Sequence, residues 1–185
     1  MRIISGTLRP TPLPWLPVLS NIAPPHIRRQ IATTKQLAKI RANDSLPVYA
    51  DITYHPAARL PSRRPVWLNP PAEDMTANSA WTEEWLTANI VNHSLVAVPS
   101  VWPPGHNLPR RQWSTLNRFR TDQGRCAANL VRWKQAPDPS CSCGEIQTMT
   151  HIVNDCELTR FPGGLTALHL ADETAIQWLG VAYVR

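Results

Sequence analysis

Apolar residues recur at helical spacing in several stretches of the chain, and prolines separate those stretches. Pro24-Pro25 introduces the first, about 26–43, where Ile27, Ile31, Thr34 and Ala38 share one face and Arg28, Lys35 and Lys39 line another. That spacing predicts an amphipathic helix with a basic stripe. A second helix is expected over about 80–92, with Trp81 and Trp85 one turn apart and Glu83-Glu84 near its start, where acids favour the dipole. Pro109 opens a third that runs to about Thr121. Trp113, Leu116 and Arg120 fall on one of its sides, Arg111 and Arg118 on the other. After the break at Asp122-Gln123-Gly124, Leu130 and Trp133 are expected to face inward on a helix of about 125–134, completing a small helical hairpin. Leu165–Leu170 and Thr174–Leu179 read as two short closing helices, the second capped by Asp172.

Proline changes this picture in the first third. Twelve of the 19 prolines lie in the first 71 positions. Each lacks an N–H and biases its predecessor towards extended backbone. Residues 8–25 are therefore expected to be extended, and 44–72 loop-like. The fold class that follows is mainly α: short helices on proline-rich extended chain, then the helical hairpin, then a Cys3His module. Three segments are expected: 1–72 as a connector carrying one basic helix, 73–134 as a helical region, and 135–185 as the Cys/His module with its closing helices.

Charge narrows the partners. The net charge is +6, with ten Lys/Arg against two acids over residues 1–64 and seven against one over 101–134. Two basic stretches flanking an acidic one suggest a polyanion, because Lys and Arg attract phosphates at long range and release counterions on contact. The cations expected to touch phosphate are Arg28, Arg29, Lys35, Lys39, Arg110, Arg111, Arg118, Arg120, Arg125, Arg132 and Lys134. A solvated basic surface is the plainer alternative. No run approaches the ~18 apolar residues of a membrane span, and the short Ile3-Ile4 run does not read as a secretory signal.

The strongest chemical signal is Cys141-Ser142-Cys143-Gly144, then His151, then Cys156, with the spacing C-x-C-x7-H-x4-C. Three thiolates and an imidazole are a standard structural set for zinc, and four protein ligands leave no open position for a catalytic water. Gly144 allows the tight turn that points both thiolates at one ion. C-x-C is not the C-x-x-C of thiol oxidoreductases, and clustered thiols beside a histidine argue against a disulfide framework. His169 is the weaker alternative to His151, and Cys126 reads as a buried helical residue. Tyr49-Ala50-Asp51 invites comparison with the aromatic-Ala-Asp-Asp of polymerase palms. Position 52 is isoleucine, so the adjacent carboxylates that would hold two metal ions are missing. No nucleophile–base set or phosphate loop stands elsewhere, and the chain is not expected to be an enzyme by itself.

Several stretches resemble the reverse transcriptases of jockey-like non-LTR retrotransposons. They are Ser5-Gly6-Thr7-Leu8-Arg9-Pro10-Thr11-Pro12, Trp15–Leu19, Asn21–Arg29, Pro103-Pro104-Gly105 with Leu108–Thr121, Gly124-Arg125-Cys126, and the Cys/His cluster with Gln147-Thr148-Met149 before His151-Ile152-Val153. They follow the order of the family's region after the palm. The resemblance implies a thumb-like and connecting region followed by a zinc knuckle. It implies an accessory part of an RNA-directed DNA polymerase, without the palm, that helps hold element RNA or target DNA in the nucleus. A zinc-stabilised scaffold docked on the palm of the parent polymerase is the alternative, as is the remnant of a decayed element.

Overall fold

The computed structural model describes residues 1–54 and 75–181, and most of the proline-rich loop expected at 44–72 lies outside them. Among the described residues the chain is helical and has no extended strand, only an isolated antiparallel bridge between Ser140 and Ile146. The mainly α class expected from the sequence is the class found.

Nine α-helices stand among the described residues: α1 (Arg2–Ser5), α2 (Trp15–Ser20), α3 (Pro25–Arg41), α4 (Pro47–Thr53), α5 (Ala77–Leu86), α6 (Arg110–Arg120), α7 (Ala127–Arg132), α8 (Gly164–His169) and α9 (Glu173–Val181). The described chain divides into two compact units, one of residues 23–84 and one holding 1–22 with everything from Trp85 onward.

In the smaller unit α3 packs with α4. Proline starts both helices, where its missing donor leaves nothing unpaired. The buried positions of α3 are Ile27 and Leu37, whereas Ala38 is exposed. The apolar face therefore runs through Leu37 and not through Ala38.

The larger unit corrects the expectation of extended chain over 8–25. α2 forms there in spite of Pro14 and Pro17, and all six of its residues are buried. Pro14 is its N-cap and Pro17 lies in its first turn, where backbone N–H groups have no helical partner to lose. Trp15 and Trp85 meet edge to face at 5.2 Å. Their indole N–H groups donate to Val91 O and Val96 O at 3.0 and 2.8 Å. The expected helix over 80–92 stops at Leu86 and gives way to a 3-10 turn, His93–Leu95, whose His93 stacks on Trp85 at 4.7 Å.

α6 is the central element of this unit. Leu116 and Phe119 join Met149, Ile152, Val153, Phe161, Leu165, Leu168 and Leu179 in one apolar core, so α6, α8, α9 and the Cys/His segment share a single buried interior. From the same stretch of α6, between Leu116 and Phe119, Asn117 Nδ2 donates to Ser5 O at 2.9 Å. Gly6 comes so close that a Cβ there would overlap Ser114 Oγ. The N-terminal Ser5-Gly6 and the arginine-rich helix, about 110 residues apart in sequence, are thus held together.

Candidate metal centre and basic groove

Cys141-Ser142-Cys143-Gly144 sits at the tip of a tight loop. Cys141 N donates to Glu145 O at 2.7 Å, Gly144 N to Cys141 O at 2.9 Å, and Gln147 N to Pro139 O at 2.9 Å. Gly144 has φ +97° with open space around it. It is there for its backbone angle, since an L side chain would strain this turn. Asp138 steadies the entry, accepting from Ser140 N at 3.0 Å and Ser140 Oγ at 2.7 Å.

The other two ligands come from one wide helical turn, His151–Asp155. Thr148 Oγ1 accepts from His151 N at 2.9 Å, which starts the turn, and Cys156 N donates to His151 O at 2.8 Å, which ends it. That five-residue spacing brings Cys156 onto the same side as His151. Met149, Ile152 and Val153 alternate with the ligands and anchor the turn in the core.

The ligand atoms of Cys141, Cys143, His151 and Cys156 all lie within 4.8 Å of one another. Cys141 Sγ is 3.8 Å from Cys156 Sγ, and Cys143 Sγ is 3.2 Å from His151 Nε2. A tetrahedron with metal–sulfur bonds of about 2.3 Å has a sulfur–sulfur edge of about 3.8 Å. The same gap is far too long for a disulfide, whose S–S length is about 2.0 Å, and all four cysteines of the chain are free thiols. The set is therefore fit to hold a soft or borderline metal ion.

Electrostatics favour the thiolate at Cys141 and Cys156. Cys143 and His151 are both raised: against the Glu145 N–H, burial and the neighbouring thiols raise Cys143, and against burial the neighbouring thiols raise His151. The Cys143 backbone N–H, against the opposing effect of burial and with help from His151 and Gln147, holds the Cys141 thiol down to about 6. Burial works against ionisation of Cys156 too, but the Thr159 hydroxyl and the Leu158 N–H outweigh it, and its pKa is lowered. Cys126 is different: it is buried at the start of α7, and burial pushes its thiol up. His169, the weaker alternative ligand, stands elsewhere and accepts a hydrogen bond from Arg120.

Against the metal loop lies a basic groove of about 970 Å³, lined among others by Arg110, Arg111, Arg118, Arg125, Cys141 and Ser142. α6 supplies three of these arginines, with Arg111 and Arg118 two turns apart. Arg110 donates to the carbonyls of Ile3 and Ile4, which fixes its guanidinium at the groove's edge. Arg118 lines the groove, although its Nε is buried and makes no hydrogen bond among the described residues.

The eleven cations expected on phosphate separate accordingly. Arg110, Arg111, Arg118 and Arg125 come together in the groove. Arg132 donates to Gln123 Oε1 at 3.0 Å, and Lys134 is exposed just beyond α7. Arg28, Arg29, Lys35 and Lys39 are exposed on α3 of the smaller unit.

Arg120 is a correction. It is 0% exposed, so it cannot reach a phosphate. Its guanidinium donates to His169 Nδ1, Asn117 Oδ1, Pro104 O and His169 O at 2.7–3.0 Å. The sequence carried the signal, because Arg120 shares the face of Trp113 and Leu116. Leu130 and Trp133 also depart from expectation: both are half-buried, and Asn129 is the buried residue of α7.

Two residues of the Gln147-Thr148-Met149 stretch have supporting roles that the sequence does not reveal. Gln147 donates from Nε2 to Cys141 Sγ at 3.7 Å and accepts from Ala127 N at 2.9 Å, tying the metal loop to α7. Thr148 caps the His151 turn. Their only sequence signal is position, just ahead of the third ligand.

Tyr49-Ala50-Asp51 lies within α4, followed by buried Ile52. No helix among the described residues is long and apolar enough to cross a membrane. No protein-family model, curated protein or solved structure matches the chain.

Proposed function

We propose that this chain is a zinc-stabilised, nucleic-acid-binding accessory region of a non-LTR retrotransposon reverse transcriptase, without the catalytic palm. In this reading zinc is held by Cys141, Cys143, His151 and Cys156, and it cross-links the metal loop to the His151 turn. The donor set and the 3.8 Å sulfur–sulfur edge favour zinc, whose structural sites take four such ligands and keep no open position. The role is binding and not catalysis. The workplace is the nucleus, and the partners are element RNA or target DNA together with the palm of the parent polymerase.

The observation that carries the reading is the groove between the arginine face of α6 and the metal loop. Arginine presents a planar fork of donors suited to phosphate oxygens, and Arg111 and Arg125 are exposed where they line the groove. Arginine–phosphate pairs of this kind position a backbone without reading its sequence. Binding should therefore be sequence-tolerant and salt-dependent.

Fluorescence anisotropy with a labelled oligonucleotide at several salt concentrations tests this. Removing one phosphate-binding cation should reduce the slope of log K against log salt by about 0.7–0.9. Arg111→Gln together with Arg118→Gln should flatten the slope by roughly twice that amount. An unchanged slope and affinity in the double variant would remove the groove from the account.

A protein-docking scaffold is the second reading. It is favoured by apolar side chains left open near the N-terminus, Ile3 at 87% and Leu13 at 70% exposure. The two roles are compatible, since these residues do not line the groove.

A further inference from the structure

Beside the basic groove is a second, smaller cavity of about 320 Å³, lined by Leu8, Arg9, Pro10, Arg125, Trp133 and Gln135. Arg125 lines both cavities, so they adjoin across its side chain. The smaller one is a shallow, open, largely apolar cup lined by two arginines and an indole. We propose that Trp133 is a stacking platform for one unpaired nucleobase of a single strand, whose flanking phosphates lie on Arg125 and Arg9. This rests on the nucleic-acid reading of the larger groove and names the class of strand it takes.

Trp133 differs from the other described tryptophans, of which Trp81 and Trp113 are buried in the core at 4% and 5% exposure. Trp15, Trp85 and Trp178 each donate their indole N–H to a backbone carbonyl, which ties the ring to the protein. Trp102 is already stacked, on His106 at 5.2 Å. Among the described residues Trp133 makes no hydrogen bond through its ring and stacks on no other ring, yet it is half-buried and lines a cavity with two cations.

The backbone fixes its position. Trp133 N donates to Asn129 O at 2.9 Å, Lys134 N to Val131 O at 2.9 Å, and Gln135 N to Leu130 O at 2.8 Å. This is a Schellman end to α7, which needs its next residue in the left-handed region. That residue is Lys134, at φ +60°. Glycine would relieve the backbone here; the lysine instead adds a third exposed cation next to the cup.

The occupant follows from this chemistry. A base has an apolar face for the indole, and its phosphates are complementary to the arginines. A duplex hides its base faces in the stack, so only a single strand can use the cup. An apolar peptide side chain would gain nothing from Arg9 and Arg125.

Anisotropy on the full chain loaded with zinc tests the proposal with three probes of equal length: a thymidine single strand, the same strand with abasic sites, and a duplex. The wild type should bind the thymidine strand roughly tenfold more tightly than the abasic one. Trp133→Ala should remove that preference and leave duplex and abasic binding unchanged, whereas Trp133→Phe should keep most of it. Equal wild-type affinity for thymidine and abasic strands would overturn the stacking site while leaving the phosphate groove standing. No binding of any probe would overturn both. The comparison on wild-type protein holds even where Trp133→Ala folds poorly.

Discussion

The Arg120 guanidinium donates from Nε to His169 Nδ1 across 3.0 Å, with neither residue open to solvent. Its Nη2 reaches His169 O and Pro104 O, and its Nη1 reaches Asn117 Oδ1. One charged side chain thus ties α6 to α8 and to the Pro103-Pro104-Gly105 loop. Its centre lies 5.3 Å from the middle of the Trp113 ring. Burial pulls the guanidinium down to about 9, and it remains charged at neutral pH. Truncating it would leave several buried acceptors without a donor. Arg120→Met should cost about 3 kcal/mol or more in urea unfolding. Arg120→Lys should recover little of this, because an ammonium cannot reproduce the Nε-and-fork geometry.

The same pair predicts an acid transition. Burial first, and then the adjacent Arg120 charge, holds His169 down at about 4 against an ordinary 6.5. Between those values the unfolded chain takes up a proton that the folded chain refuses. Stability is therefore full above about pH 6.5 and falls as pH drops towards 4, by roughly 3 kcal/mol at most. His169→Gln should flatten the pH dependence of the melting temperature in this window. An unchanged profile would mean that His169 is not the group responsible.

Thiol reactivity should divide the cysteines by role. Cys126 is 1% exposed with its thiol pushed up, so it should resist alkylation in the folded protein. Cys141, Cys143 and Cys156 should be protected while metal is bound and should react after chelation. Mass spectrometry should then find three modified cysteines of the four present. Rapid modification of Cys126 before the others would contradict this assignment.

Two glycines should be intolerant for steric reasons. A Cβ at Gly164, φ +62°, would overlap Asn154 Oδ1, the atom that accepts from Leu165 N at the start of α8. A Cβ at Gly6, φ +67°, would strike Ser114 on α6. Gly164→Ala and Gly6→Ala should each destabilise by about 1–3 kcal/mol in thermal or urea unfolding. Gly180 has open space around it, and Gly180→Ala should be tolerated.

The ligand set and the arginine helix are legible in the sequence because both are local. Ligand spacing is set by one loop and one turn, and α6 announces itself with Pro109 and its buried Trp113 and Leu116. Asp172 is legible for the same reason: its Oδ1 accepts from Ala175 N at 2.8 Å as an N-cap should. α2 and α4 are not, because proline density hides helices whose prolines sit in the first turn. Arg120 is easily misjudged because counting charge treats every arginine alike, and its partners, Pro104 and His169, are far apart in sequence. The groove is equally hidden: Arg118 and Ser142 become neighbours only when the apolar core closes.

The groove wall includes Cys141 and Ser142, so the account requires metal and nucleic-acid binding to be coupled. The most direct test is the affinity of one labelled single strand, at fixed salt, for the same purified chain before and after removal of its metal. The account predicts one equivalent of zinc, and at least a tenfold loss of affinity on chelation that is restored when zinc is returned. A metal-free chain that binds the strand as tightly as the loaded one would contradict it.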